Sequence, residues 1–348
     1  MTGVEISVIV TNYGMRGYLS DALESVLHQT SYSSDSVEIV ITTNTIEAVP
    51  NQLIENGSVR VRVMEGPLST CLADAIEHSE GRTLCFLEDD DLFTEDKLAF
   101  ISRVFADNPR MGYLSNNFSV IDEEGTIQPN HRFRRPIRSA RQRVGRRCLS
   151  PPDILDQLSR LPELGPDFNM SSITVRRSIL TPSRLDTLRR TTVGPDSFLF
   201  YCALASECDL CIDPRVFTLY RVHPANASLV DSSSAVVSLA RLQAWNERFA
   251  LSAEAIAEGL FSSLSDDDAR VRSVRALGLQ HRLSAAMRSE SPSRREVLWL
   301  ARDLLRFRDT YTTYNTSQLR LLVYVLAFTL SPRLEQDVFH RLMVSQLQ

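Results

Sequence analysis

Four consecutive carboxylates, Glu88, Asp89, Asp90 and Asp91, form the densest run of chemistry-bearing side chains in this chain. They follow directly on Thr83 to Leu87, a short apolar run with β-branched and aromatic members that reads as a buried strand. Like charges in a row repel one another, so a folded chain keeps them together where something offsets the repulsion. A divalent cation does so. Hard oxygen ligands suit Mg²⁺ or Mn²⁺, and such ions commonly bridge one or two carboxylates to substrate phosphates. In open α/β sheets, ligands bind just past the carboxyl ends of the strands. An acidic run at that place marks a site for a metal and a phosphorylated ligand. A plainer use of the same residues is a solvated turn opening the next helix, with Asp91 or Thr94 as N-cap before Glu95-Asp96-Lys97.

The elements that would position such a site are readable around it. Glu5 to Thr11 is a near-continuous β-branched run, the pattern of a strand buried on both faces. Asn12-Tyr13-Gly14 is a turn. Tyr18 to Leu27 repeats apolar residues at helical spacing. Val37 to Ile41 and Val59 to Val63 predict two further strands, Ser69 to Ser79 a helix ended at Gly81, and the acidic strand comes next. Strand, helix, strand, strand, helix, strand predicts a parallel sheet flanked by helices. Downstream, Asp153 to Leu161 reads as a short helix, and Met170 to Val175 and Leu210 to Ile212 as strands.

Bulk composition sets limits. At 348 residues, with 43% hydrophobic and 23% charged residues, the chain has room for one large α/β domain and an appendage, or for two domains. A net charge of −5 argues against nucleic acid as a partner. Lys97 is the only lysine. The six cysteines are scattered. Only Cys208 and Cys211 form a C-x-x-C, with no second pair and no histidine at zinc spacing, so structural zinc is not expected. A reduced, cytoplasmic state is the default expectation. No basic-then-apolar N-terminus marks a signal peptide. The longest apolar run, Leu319 to Leu330 broken by Arg320, is too short to span a bilayer.

Four motifs in order carry a resemblance. Ser-Val-Ile-Val-Thr-Asn-Tyr-Gly (7–14), with Tyr18-Leu19 and Ala22-Leu23-x-Ser25-Val26-Leu27-x-Gln29-Thr30, resembles the opening of family 2 glycosyltransferases of the GT-A fold. Phe86-Leu87-Glu88-Asp89-Asp90-Asp91 is similar to that family's acidic DXD-type metal motif. Gly194-Pro195-Asp196-Ser197-Phe198-Leu199-Phe200 sits where the family has its acceptor-activating acid. Tyr220-Arg221-Val222-His223-Pro224-x-Asn226-x-Ser228 is similar to the motif closing its catalytic domain. The resemblance implies a GT-A nucleotide-binding sheet over residues 1–230, with a donor half to about 115 and an acceptor half after it. It implies an inverting, metal-dependent transfer of sugar from a nucleotide diphosphate sugar, UDP- or GDP-linked, to a hydroxyl on a glycan or lipid-linked glycan. It places base and donor contacts on Thr11, Asn12, Tyr13, Thr43, Glu88, Asp89, Arg221 and His223. Mg²⁺ or Mn²⁺ falls to Asp90, Asp91 and His223, and the general base to Asp196. Asp196 also reads as an ordinary N-cap, and a lone histidine is more often a satisfied structural group.

Two stretches depart from the pattern. The second strand ends in Ile41-Thr42-Thr43-Asn44-Thr45 where the family commonly has paired aspartates, leaving uridine and guanosine both open. The helix before the acidic strand reads Cys71-Leu72-Ala73-Asp74-Ala75-Ile76. Other readings are a polyprenyl-phosphate glycosyl synthase and a non-catalytic nucleotide-sugar-binding scaffold.

Eight arginines fall between Arg132 and Arg147, and Pro136 and Gly145 argue against one continuous helix there. This loop, 131–147, reads as a phosphate clamp, a peripheral contact to the inner membrane face, or a solvated surface. From about Ser232 the texture turns helical: Ala235 to Leu260, Asp268 to Met287, Arg294 to Phe307 and Ser317 to Leu330. An all-α appendage over 231–348 is expected, with its apolar stripe as core or homo-oligomer interface.

Overall fold

The computed structural model describes residues 3–14, 17–30, 33, 35–223, 226, 235–289, 293–307, 325–326 and 328–331. β1 (Ile6–Asn12) is buried along its whole length, as its β-branched run requires. After it come α1 (Leu19–Leu27), β2 (Val37–Thr43), α2 (Asn51–Glu55), β3 (Arg60–Val63), α3 (Leu68–Glu77) and β4 (Thr83–Glu88). β1 pairs in parallel with β2 on one side and β4 on the other, and β2 pairs in parallel with β3. The register sets Asn12 beside Thr43 and Thr11 beside Glu88, so the carboxyl ends of three strands finish level. Gly81 admits β4 to its place: a Cβ there would lie 2.3 Å from the Ser7 backbone nitrogen.

The chain continues through β5 (Leu92–Phe93), α4 (Lys97–Asp107), β6 (Met111–Ile121), α5 (Arg135–Val144), β7 (Arg147–Leu149), α6 (Pro151–Gln157), β8 (Ile173–Arg176), α7 (Pro182–Arg190), α8 (Pro195–Leu204) and β9 (Asp209–Arg221). The sheet order is β3-β2-β1-β4-β8-β6-β9-β5, with β7 on β9. The expected parallel sheet holds for β1 to β4. Beyond them it is mixed, because β8 runs antiparallel to both β4 and β6.

Helices cover both faces. One buried cluster joins Val8, Val10, Leu23, Leu87, Leu98 and Ile101. The other joins Phe86, Tyr113 and Phe198 to residues of α9 (Ala235–Phe261) and α10 (Ala269–Met287), including Ile256, Phe261 and Val274. The first two C-terminal helices therefore share a core with the sheet. α11 (Arg294–Leu305) packs on α10 through Leu283, Val297 and Leu300. The expected boundary at 230/231 lies outside the described residues. So does most of the helix expected over 317–330, of which 325–326 and 328–330 are described and helical. Among the described residues no helix is long and apolar enough to cross a membrane.

Two expectations are corrected. The arginine-rich segment is not a loop throughout, since α5 occupies Arg135–Val144. Pro136 sits in its first turn, where a missing N–H costs nothing, and Gly145 ends it at a φ of +76°. One of the arginines is also spent inside, since Arg141 is fully buried, and the half-buried Arg134 and Arg138 lie over the Phe168 and Phe118 rings. Second, the cysteines are not all reduced. Cys148 of β7 faces Cys211 of β9 in register, and a disulfide joins them. That consumes half of the C-x-x-C. Cys71, Cys85, Cys202 and Cys208 are free and buried.

Candidate active site

The acids stand where β4 leaves the sheet. Asp89 N–H donates to the Thr11 carbonyl at 3.0 Å, and Asp91 N–H donates to the Glu88 carbonyl at 3.1 Å, folding the run into a tight turn. The turn is buried: Asp89, Asp90 and Asp91 are 3%, 7% and 0% exposed. Burial and the charges of Asp90 and Asp91 hold the Glu88 carboxyl well above its usual range. Burial and Asp90 do the same to Asp91. Helix capping does not account for the run, because α4 begins after Asp96 and no side chain caps it.

β9 brings the partners. The Arg221 backbone N–H donates to Asp91 Oδ1 at 3.0 Å, and its guanidinium Nε donates to the Asp90 carbonyl at 2.9 Å. The remaining guanidinium nitrogens bond the Asp122 and Glu123 carbonyls and Asp21 Oδ2, and the plane lies over Tyr18 at 4.6 Å. Past the end of β9, His223 Nε2 meets Asp90 Oδ2 at 2.9 Å, and Asn226 Nδ2 donates to the same oxygen at 3.4 Å. Asp91 Oδ2 is buried without a hydrogen-bond partner. Such an orphaned carboxylate oxygen, in an acidic turn whose charges repel, suits a divalent cation. Among the described residues no three His, Cys, Asp or Glu side chains gather closely enough to cage a metal. An ion here would complete its shell with substrate oxygens and water, as Mg²⁺ does at phosphate sites.

At the ends of β1 and β2 lies a cleft lined by Asn12, Tyr13, Thr42, Thr43, Asn44, Leu68 and Cys71. Asn12 Nδ2 donates to Thr43 Oγ1 at 2.9 Å, and the Tyr13 hydroxyl donates to the Gly66 carbonyl at 2.8 Å. α8 opens with Gly194 at φ +72° and Asp196 in its first turn. Asp196 Oδ1 accepts from its neighbour, the Ser197 N–H, at 2.9 Å. Burial, then the charge of Asp167, pushes the Asp196 carboxyl up to about 7. The charge of Asp196 bears in turn on Glu88 and helps to hold its carboxyl up.

Residues 7–170 match the Glycosyl transferase family 2 profile. Over that stretch the chain is similar to family 2 glycosyltransferases. The fold is shared with solved structures. S. aureus TarS 1–349 in complex with UDP-GlcNAc aligns at 14% identity with a TM-score of 0.60, over 97% of this chain and 92% of that one. The same TarS fragment in complex with UDP gives 0.57 at 15% identity over the same shares. No curated protein sequence matches the chain.

Most of the residues singled out from sequence fall into three groups, with Glu88 and Asp89 in the turn at the end of β4. Arg221 bonds both Asp90 and Asp91, and His223 bonds Asp90. Asn12, Tyr13 and Thr43 line the cleft, whereas Thr11 is 4% exposed and serves β1 through its carbonyl. Asp196 is at the head of α8. Arg221 is fully buried, with each guanidinium nitrogen engaged by protein, so it holds the acidic turn. Sequence reasoning passed over Asn169, Ser171 and Asp167. Ser171 Oγ accepts the Glu88 N–H at 3.0 Å, and Asn169 and Ser171 lie against the Asp91 carboxylate. Asn169 holds a positive φ of 66°, which no sequence pattern announces. Asp167 had a signal: the tripeptide Gly165-Pro166-Asp167 repeats Gly194-Pro195-Asp196.

Proposed function

We propose that this transferase moves a sugar from a nucleoside diphosphate sugar to a hydroxyl of a glycan or lipid-linked glycan, in one inverting displacement. The carrying observation is the placement of Asp196 at the head of α8, with its charge bearing on the acidic end of β4. Asp196 takes the acceptor proton. The acceptor oxygen bonds the anomeric carbon while the bond from that carbon to the diphosphate oxygen breaks, and the nucleoside diphosphate leaves with the electron pair. Base and leaving group on opposite faces invert the centre.

Asp90 and Asp91 would hold a divalent cation, which when bound neutralises charge on the departing diphosphate. His223 and Asn226 orient Asp90 through Oδ2, and Arg221 fixes the turn beneath. The nucleotide base lies against Asn12, Tyr13 and Thr43 at the ends of β1 and β2. The cleft there is lined by neutral amides, hydroxyls and a thiol, with no carboxylate. Guanine presents adjacent N–H donors that a carboxylate meets best; uracil presents one N–H between two carbonyls and is served by amide and hydroxyl. The lining therefore favours uridine. TarS, which shares the fold, is solved with UDP-GlcNAc.

Thermal melting with UDP and GDP, each with and without Mn²⁺, tests the donor reading. A ligand at a hundredfold excess over its Kd stabilises by about 2.7 kcal/mol. UDP with Mn²⁺ should shift the midpoint most, and Asp90→Ala with Asp91→Ala should abolish the Mn²⁺-dependent part. Equal shifts for the two nucleotides overturn the base assignment. A Mn²⁺ effect that survives both substitutions overturns the metal assignment.

A further inference from the structure

The two Gly-Pro-Asp turns converge. Gly165 and Gly194 both adopt positive φ, +53° and +72°. A Cβ on Gly165 would lie 2.8 Å from Ile137, and one on Gly194 would lie 2.6 Å from Phe249. Glycine is thus required at each for both backbone and space. The aspartates that follow reach the same residue: Ser197 Oγ donates to Asp167 Oδ2 at 2.9 Å, and Ser197 N–H donates to Asp196 Oδ1 at 2.9 Å. The first turn is fastened from behind. The Tyr113 hydroxyl donates to the Pro166 carbonyl at 2.8 Å, and Arg141 donates to the carbonyls of Leu164 and Gly165. Asp167 is 6% exposed, and its Oδ1 has no hydrogen-bond partner. So much fixed structure behind a half-satisfied buried carboxylate is costly for fold alone.

We propose that Asp167 and Asp196 work as a pair, in which Asp167 is the positioning residue that ties down the head of α8 and sets its charge beside the proposed base. This rests on the reading of Asp196 as base. Charged and titratable groups face the pair from each packed element: Arg134 before α5, Arg141 on α5, Tyr113 on β6, Tyr201 on α8 and Glu88 on β4. Burial lifts Asp167 to about 6, with the Ser197 hydroxyl, Arg134 and Arg141 opposing the rise. The Ser197 hydroxyl donates to Asp167 and favours its ionised form. That charge then keeps Asp196 able to accept a proton at neutral pH, where an isolated carboxylate would be a poor base.

Infrared difference titration of the full chain reads this directly, with the Asp196 band identified by its loss in Asp196→Asn. In Asp167→Asn the Asp196 midpoint should fall by about one pH unit, because a like charge has gone. Ser197→Ala keeps both carboxylates and should raise the Asp167 midpoint, because the ionised form loses a donor; it stands in where Asp167→Asn fails to fold. An Asp196 midpoint unmoved in Asp167→Asn, or an Asp167 midpoint unmoved in Ser197→Ala, overturns the pair while leaving the base reading intact. Turnover retained by Asp196→Asn in a UDP-GlcNAc transfer or hydrolysis assay overturns the base, and the catalytic use of the pair with it.

Discussion

Asp196 differs from a surface N-cap in one measurable respect: burial and Asp167 push it up to about 7. A base must be ionised to act, so transfer should rise with pH to a plateau with a midpoint near 7. Well below the midpoint the rate should fall about tenfold per pH unit. Asp196→Asn should cost about 10²–10⁴ in kcat and leave UDP binding unchanged. Initial rates flat across that range, in wild type, would remove the base from the mechanism. Arg221 makes the contrasting case, a cation placed in the site yet used for construction. Arg221→Lys keeps a charge but replaces a planar fork with a point donor, leaving carbonyls of Asp90, Asp122 and Glu123 short of partners. The expected loss is about 2–4 kcal/mol of stability, by the cost of unpairing buried polar groups. Urea unfolding measures it. A loss confined to nucleotide affinity, with stability intact, would return Arg221 to the diphosphate.

The elements show how a distant helix enters the site. The Phe249 ring of α9 packs at Gly194, and Ser252 of α9 accepts the N–H groups of Thr192 and Val193. α9 therefore holds the turn that aims Asp196. In Gly194→Ala both the positive φ and the Phe249 contact oppose the methyl group. A loss of about 1–3 kcal/mol is expected, together with lower kcat at unchanged UDP affinity. Differential melting and single-substrate kinetics check both, and an unchanged kcat would detach α9 from the reaction. The same elements mark what sequence could tell. β1 and β4 announce themselves because strands buried on both faces need unbroken apolar runs, and the acids follow at once. β6 passed unread: it carries Ser115, Asn116 and Asn117 buried mid-strand, where each polar group is satisfied by a partner remote in sequence or by its own turn. α5 passed as loop because its arginines mask the apolar stripe of Ile137 and Ala140, and one of them, Arg141, is itself part of the buried face. Side-chain use is a tertiary fact, so Asp167 and the structural role of Arg221 were legible as residue types and not as contacts.

At the scale of the whole molecule, ionisable groups are buried on both sides of neutrality, and their effects on stability oppose one another. Lys97, the only lysine, is fully buried at the start of α4. Its Nζ donates to the Ser171 carbonyl and to Thr218 Oγ1 at 3.1 Å, over the Phe93 ring at 3.7 Å. It thereby links β5, β9 and the turn beneath the acidic run. Burial lowers it from 10.5 to about 7. Between those values the unfolded chain binds the extra proton, so stability should rise with pH across that window and be lost as pH falls toward 7. Asp167 and Asp196 have the opposite sign. Raised from 3.8 to about 6 and about 7, they favour the folded state below the unfolded value, and that stability is lost as pH climbs through the folded ones. The two trends meet near neutrality. Glu88 and Asp91 are raised as well and extend the acid limb, so unfolding free energy should pass through a minimum at or above neutrality, where ordinary domains are near their best. Since every pH unit separating the folded and unfolded midpoints of a group corresponds to about 1.4 kcal/mol, Lys97 contributes at most about 5 kcal/mol to the alkaline limb, and Asp167 and Asp196 together at most about 7 kcal/mol to the acid limb. Lys97→Met should flatten the alkaline limb alone, and Asp167→Asn should shrink the acid limb alone. Urea unfolding at acid, neutral and alkaline pH separates them. A single broad maximum at neutrality, unaltered in shape by either substitution, would mean these groups are not held in their unfavourable charge states by the fold.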